Sequence, residues 1–190
     1  MDKERLHKIY LARRKALSSQ EFYWSSFQVL SRLKKLPIWD KSYYHIFLSI
    51  QRLNELDTQP IIDHLFALGR QVVIPRSDFS KISMESCVWT RDVPLQLNTY
   101  KILEPLETET VNPFSIDVVF VPLLVFDKEG YRVGYGKGFY DKFLTTCRVD
   151  VLKIGLSLFD PVDQITDIHS ADVSLDVVIS PEEVHLFSPF

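Results

Sequence analysis

Gly134, Gly136 and Gly138 alternate around a single lysine, Lys137, in the run Arg132 to Asp141, RVGYGKGFYD. Without a Cβ at those places a backbone can approach an anion closely and turn successive N–H groups toward it, and Lys137 adds a point charge to the same field. A helix beginning near Phe139 adds its free N–H groups and the positive end of its dipole. This is the chemistry of polyphosphate binding. The run is not a Walker A loop, because Lys137 is followed by Gly138 rather than Ser or Thr, and it is not GxGxxG, because residue 139 is Phe. The glycines alone fit a tight structural turn better. The order of strand, acidic turn, glycines, lysine and helix brings phosphate binding level with that reading.

Other residues could share the chemistry. Asp141, one turn into the expected helix, could hold a magnesium ion that bridges phosphates, since that ion prefers carboxylate and phosphate oxygens; an ordinary helix N-terminal acid is the alternative. Glu55 lies just past the end of the first expected strand, where open α/β sheets place ligands, although a solvated loop acid would look the same. The basic residues Lys3, Lys8, Arg13 and Arg14 could project toward a nucleotide or simply form a solvated helix face. Tyr131, Tyr135, Phe139 and Tyr140 crowd the glycine run, and either a flat heteroaromatic ligand or core packing accounts for them. The five histidines show neither metal-ligand spacing nor a nucleophile motif.

The elements that position these residues alternate. Residues 3–16 read as an amphipathic helix with an unusually basic polar face. Ser18 and Glu21 form a capping box for a second helix that stops before Pro37. YYHIFL, residues 43–48, is a strand, and SIQRLNELDT a strand-to-helix loop. Thr58 is placed to cap a helix through Leu68, with Gly69 suited to its left-handed end. Strands follow at 71–75 and 82–88, and then a polar connection, 90–113, that wanders over the surface. DVVFV, residues 117–121, is the clearest buried strand; Val125 and Phe126 lead into the turn DKEG, and a helix runs from Phe139 to Thr146. Two more strands lie at 151–156 and 174–179, with Asp160, Asp163, Asp167 and Asp172 between them. Strands alternating with helices predict a mostly parallel sheet covered on both faces.

Composition bounds the function. The chain has 190 residues, 46% of them hydrophobic, and a formal net charge of −3 with both signs interspersed, so it is expected to be one globular unit, 1–190, with no global field to recruit nucleic acid or an acidic membrane. Cys87 and Cys147 suit neither a disulfide framework nor a zinc site and are expected to be buried free thiols. The charged amino terminus and the lack of a long apolar run predict a cytoplasmic protein.

VPLLVFDKEGYRVGYGKGFYDKFL, residues 121–144, resembles the signature of the 5-formyltetrahydrofolate cyclo-ligase family. Weaker blocks fall in the family's order around it: KERLHKIYLARRKALS at the start, SIQRLNELDT, NTYKILEP and ADVSLDVVIS. The resemblance implies a three-layer α/β/α sandwich and an enzyme that converts 5-formyltetrahydrofolate to 5,10-methenyltetrahydrofolate, using ATP and magnesium and releasing ADP and phosphate. It implies that Lys3, His7, Arg132, Val133, Gly134, Tyr135, Gly136, Lys137, Gly138, Phe139 and Tyr140 contact ATP. Glu55, Tyr100 and residues Tyr135 to Phe139 would line the folate site, and Asp141 and Asp172 would bind magnesium. Lys137, Arg132 and Glu55 would carry the chemistry, through a phosphorylated formyl intermediate. Two positions depart from the pattern: His7 stands where the family usually has Arg, and Leu123 where many members have Gly. The expected partners are small molecules, with no nucleic acid or membrane, and the expected state is a monomer.

Overall fold

In the computed structural model, which describes residues 1–189, the charged amino terminus forms α1 (Lys3–Ala16), capped by the Asp2 carboxylate accepting from the Arg5 N–H. The Ser18–Glu21 capping box opens α2 (Ser19–Leu33) as its sequence predicts. Next come β1 (Tyr43–His45), α3 (Gln59–Ala67), β2 (Gln71–Asp78), β3 (Ser83–Val88), β4 (Leu95–Leu97), β5 (Leu103–Pro105) and β6 (Thr110–Val111). β7 (Val118–Pro122) leads through β8 (Val125–Phe126) and β9 (Arg132–Val133) into α4 (Phe139–Leu144), and β10 (Leu152–Leu156), β11 (Val177–Ile179) and β12 (Val184–Leu186) complete the chain.

Eight strands form one sheet in the order β12-β11-β10-β7-β1-β2-β3-β6. The five central strands, β11 to β2, run parallel, and β12, β3 and β6 are antiparallel additions at the two edges. Parallel strands covered on both sides must be apolar in both directions, which is why DVVFV reads as a continuous run. Alternate residues divide between the faces. Tyr44, Val118, Phe120 and Ile154 pack with α2 and α3, whereas Val119, Val121 and Val178 pack with Phe143 and Leu144 of α4. The result is the mostly parallel α/β/α sandwich, with one helical layer much thinner than the other. α1 belongs to neither layer, and Leu6 and Tyr10 bury it against Leu124, Val125 and Val133.

Several elements differ from expectation. β1 ends at His45, although the Ile46 N–H still donates to the Val73 carbonyl. Thr58 precedes α3 but does not cap it: its hydroxyl donates to the Phe47 carbonyl, and its N–H to the Ser49 hydroxyl, so it pins the loop after β1 instead. The connection 90–113 is structured, with Leu95–Leu97 paired to Leu103–Pro105 and Thr110–Val111 added to the main sheet. Strands of two or three residues carry no periodicity to read. The helix after the glycine run ends at Leu144, two residues early, and β12 was not expected. Cys87 is buried, but Cys147 is only half-buried; burial pushes its thiol up to about 11.

Leu123, which departs from the family pattern, packs closely against Gly155. A Cβ on Gly155 of β10 would lie 2.7 Å from Leu123 Cδ2, 2.7 Å from Leu175 Cδ1 and 2.9 Å from Val178 Cγ2, so the glycine makes the room that Leu123 fills. Gly155→Ala is expected to lower the unfolding free energy by about 1–2 kcal/mol through overpacking, read as a lower urea midpoint at unchanged slope. A midpoint as high as that of the native sequence would show that the two side chains do not compete for this space.

Candidate active site

The parallel strands run in the order β2-β1-β7-β10-β11, so the chain goes one way from β1 to β2 and then returns to the other side of β1 with β7. Loops leaving the carboxyl ends of β1 and β7 therefore diverge and open a crevice, the usual ligand position in such sheets. Glu55 is on the first of these loops and the glycine run on the second. Beside Glu55 lies a narrow chamber of about 10 Å³, lined by Arg14 and Glu55 and otherwise by apolar residues of the loop after β1, the segment after β7 and the end of β10.

Glu55 is not a solvated loop acid. It is 5% exposed, the Ile50 N–H donates to its Oε2 at 2.6 Å, and the Tyr135 hydroxyl donates to its Oε1. Burial raises its pKa above the ordinary value, against the Tyr135 hydroxyl, the Ile50 N–H and the charges of Arg14 and Arg52. Tyr135 in turn accepts from Arg14 Nη2 at 2.6 Å. Arg14 is 3% exposed, so it is not part of a solvated helix face. Burial and the neighbouring Glu55 charge both raise the Tyr135 phenol pKa, which keeps it a proton donor.

The glycine run starts from the β8–β9 hairpin, whose turn is fixed by buried Asp127: its Oδ1 accepts from the Glu129 and Tyr131 N–H groups, and its Oδ2 from that of Ile165. Gly136 and Gly138 take φ of +77° and +68°, a left-handed conformation that side chains resist. A Cβ at Gly134, Gly136 or Gly138 would meet nothing within 4 Å, so these glycines are not demanded by packing. No side chain caps α4, leaving its first N–H groups open, and Lys137 is exposed without a hydrogen-bonding or ion-pair partner among the described residues. Such a bend, with open donors and a free ammonium, has the chemistry to receive an anion.

Arg132 lies behind that bend. Its side chain is 5% exposed; Nη1 donates to the Val173 carbonyl at 2.6 Å and Nη2 to Asp141 Oδ1 at 2.9 Å. Asp141 Oδ1 also accepts from the Val173 N–H, which brings Asp141 to the segment carrying Asp172. Asp172 Oδ2 accepts from the His169 N–H and pairs with Lys3. Burial raises the Asp172 pKa, but the His169 N–H and the Lys3 ammonium outweigh it and leave the carboxyl below its ordinary value. Each aspartate thus keeps one oxygen outside these bonds, and no group of three or more His, Cys, Asp or Glu side chains that could hold a metal forms among the described residues.

The sequence-selected residues accordingly form three connected groups. Lys3, Arg132, Asp141 and Asp172 are joined through ion pairs and Val173; Glu55 and Tyr135 meet directly; and Tyr100 reaches Phe139 through Phe79, whose ring stacks on Tyr100 at 3.7 Å and meets Phe139 edge-on at 5.0 Å. Val133 is buried in the α1 contact and Tyr140 lies under the loop, its hydroxyl 3.4 Å from His45 Nε2. His7 is half-buried on α1 and makes no side-chain hydrogen bond among the described residues. Nothing in the sequence marks Phe79, in the turn after β2, or Arg52, which lies in a single short helical turn and donates from Nη2 to the Tyr100 carbonyl, because neither belongs to a recognisable short motif.

Comparison with known proteins agrees over nearly the full length. The sequence model of the 5-formyltetrahydrofolate cyclo-ligase family matches residues 1–181. The 5-formyltetrahydrofolate cyclo-ligase of Escherichia coli K12 is 30% identical over 177 residues, covering 90% of this chain and 96% of that enzyme. The enzyme of that name from Mus musculus is 36% identical over 109 residues, covering 54% of this chain and 53% of its own. Among solved structures, the 5,10-methenyltetrahydrofolate synthetase of Aquifex aeolicus superposes with a TM-score of 0.85 at 28% identity, over 100% of this chain and 95% of that one. The synthetase of Mycoplasma pneumoniae gives a TM-score of 0.76 at 27% identity, over 95% and 99% of the two chains.

Proposed function

Because the chain belongs to the 5-formyltetrahydrofolate cyclo-ligase family, an enzyme family, we propose that it uses ATP to close 5-formyltetrahydrofolate to 5,10-methenyltetrahydrofolate in the crevice between the loops after β1 and β7. The observation that carries this reading is the pairing there of an open glycine bend bearing a free ammonium with a buried carboxylate at an apolar chamber. One half suits a polyphosphate, and the carboxylate of the other suits the N–H donors of a heterocycle.

An amide-like formyl oxygen is a poor leaving group, and phosphorylation cures that. The formyl oxygen attacks the γ-phosphorus in line and ADP leaves; N10 adds to the activated carbon, its proton is lost, and phosphate departs with the former formyl oxygen. Such transfer depends on positioning and charge stabilisation rather than on a side-chain nucleophile. Lys137 and the N–H groups around Gly136 and Gly138 hold the transferred phosphoryl group, with Arg132 behind them. Lys3 and His7 on α1 would contact the rest of the nucleotide. Glu55 accepts N–H groups of the folate, and Tyr100, Phe79 and Phe139 offer it aromatic surfaces. Magnesium held by Asp141 and Asp172 would neutralise phosphate charge.

Mixing the protein with magnesium, ATP and 5-formyltetrahydrofolate is expected to produce the methenyl absorbance with one ADP released per product. A methenyl signal independent of ATP, or no signal, would overturn the reading. No helix among the described residues is long and apolar enough to cross a membrane. We place the enzyme in the cytoplasm, acting as a monomer.

A further inference from the structure

We propose that Arg14 is a positioning residue of the folate site, acting through the Tyr135 hydroxyl to hold Glu55 at the chamber as a carboxylate that only accepts hydrogen bonds. This rests on the proposed reaction, in which Glu55 receives N–H groups of the substrate. Arg14 comes from α1, Glu55 from the loop after β1 and Tyr135 from the glycine bend, so one side-chain chain ties three segments that no local motif connects.

The direction of that chain is chemically determined. A guanidinium can only donate and an ionised carboxylate can only accept, so the phenol between them has a single arrangement: it receives from Arg14 and gives its proton to Glu55. Without the guanidinium the same hydroxyl could rotate and accept a proton from a neutral Glu55 acid, and the carboxyl would then face the substrate as a donor. Arg14 also sits over the Tyr135 ring, with its guanidinium carbon 5.5 Å from the ring centroid, which fixes the plane of the phenol. The backbone repeats the connection, since the Asn54 side-chain amide donates to the Arg14 carbonyl at 3.2 Å. Asn54 itself has a left-handed φ of +49° immediately before Glu55.

For stability alone this is a poor use of an arginine. It is 3% exposed, has no carboxylate in direct contact among the described residues, and leaves its Nε without a partner. A buried cation so sparsely satisfied is costly to the fold, and its effect falls on Glu55. The other charged or titratable groups acting on Glu55 are Arg52 from the short turn after β1, Tyr135 itself and Tyr140 from α4. Only Arg14 and Tyr135 form the directed chain.

The test compares Arg14→Met, which keeps length and removes donation, with Arg14→Lys, which keeps one donor. Arg14→Met is expected to raise KM for 5-formyltetrahydrofolate about tenfold or more while changing KM for ATP less than about threefold. The acid limb of kcat/KM for the folate should move to higher pH. Binding needs ionised Glu55, is complete above its pKa and is lost as pH falls through it, and removing Arg14 lifts that pKa. Arg14→Lys should return the limb most of the way. If both KM values rise together and the limb stays in place, Arg14 is only structural and the proposal fails. A direct titration of Glu55, followed by its carboxyl carbon resonance in glutamate-labelled protein without substrate, separates this from the fate of the parent reading. If wild type forms no methenyl product, the reaction is wrong, yet a Glu55 titration unchanged in Arg14→Met would still overturn the positioning claim. Should Arg14→Met not fold, the same titration in Arg14→Gln, which removes the charge and can also accept, decides: a Glu55 carboxyl that titrates no higher than in wild type overturns the claim.

Discussion

Lys137→Ala is expected to lower kcat for methenyl formation by about 10³-fold, the scale seen when one charge-stabilising donor is removed from a transferred oxyanion. Lys137 is exposed and makes no ion pair among the described residues, so the same change should leave stability within about 0.5 kcal/mol of wild type. The contrast between a large kinetic and a negligible thermodynamic effect distinguishes a side chain poised for a ligand from a merely solvated lysine. Lys137→Arg should recover part of the rate, since the charge returns with a planar fork in place of a compact ammonium. Turnover of Lys137→Ala near that of wild type, with both substrates saturating, would remove Lys137 from the mechanism.

Arg132→Met should behave oppositely, losing both fold and function. Its guanidinium joins β9 to α4 through Asp141 and to the chain after β10 through the Val173 carbonyl. Burial works against its charge and Asp141 supports it. Replacing it leaves a part-buried Asp141 short of its cation and the Val173 carbonyl short of a donor, at a cost of about 3 kcal/mol. For a chain of this size that corresponds to a fall of about 10 °C in Tm, and kcat should drop at least about 10²-fold because Asp141 and the glycine bend lose their common support. Arg132→Lys can satisfy one partner but not both, so its losses should be intermediate. A Tm unchanged in Arg132→Met, measured by calorimetry, would mean that the clasp contributes nothing to stability.

What could be read in advance divides by distance along the chain. The capping box at Ser18, the left-handed Gly69 and the buried run DVVFV depend on neighbours within a few residues, and all three take the expected form. The glycine bend was legible for the same reason, because Arg132, Lys137 and Asp141 sit within ten residues of one another. Arg14 was not. Amid Arg13 and Lys15 it looks like one more member of a basic face, and its burial depends on Tyr135, 121 residues away. Glu55 could be placed near the crevice by the strand before it, but its burial comes from the Ile50 N–H and the same distant phenol. Thr58 shows the limit of a propensity rule: a good capping residue at the right position turns its hydroxyl to the Phe47 carbonyl, because pinning the loop after β1 satisfies a buried group there. Phe79 needed Tyr100 and Phe139 beside it before it meant anything.

The pairing of β1 with β7 also governs when the enzyme comes into being. Tyr44 and His45 meet Val118 and Val119 across more than seventy intervening residues, whereas β2 and β3 pair through a short turn. Closing so long a loop costs entropy before any contact repays it, so local hairpins and helices form ahead of this seam. Both halves of the crevice hang from it, the carboxylate from β1 and the glycine bend from β7. Any partly folded chain that has its hairpins but not this seam is catalytically blank, and recovered turnover is therefore a clock for the slowest long-range pairing in the sheet.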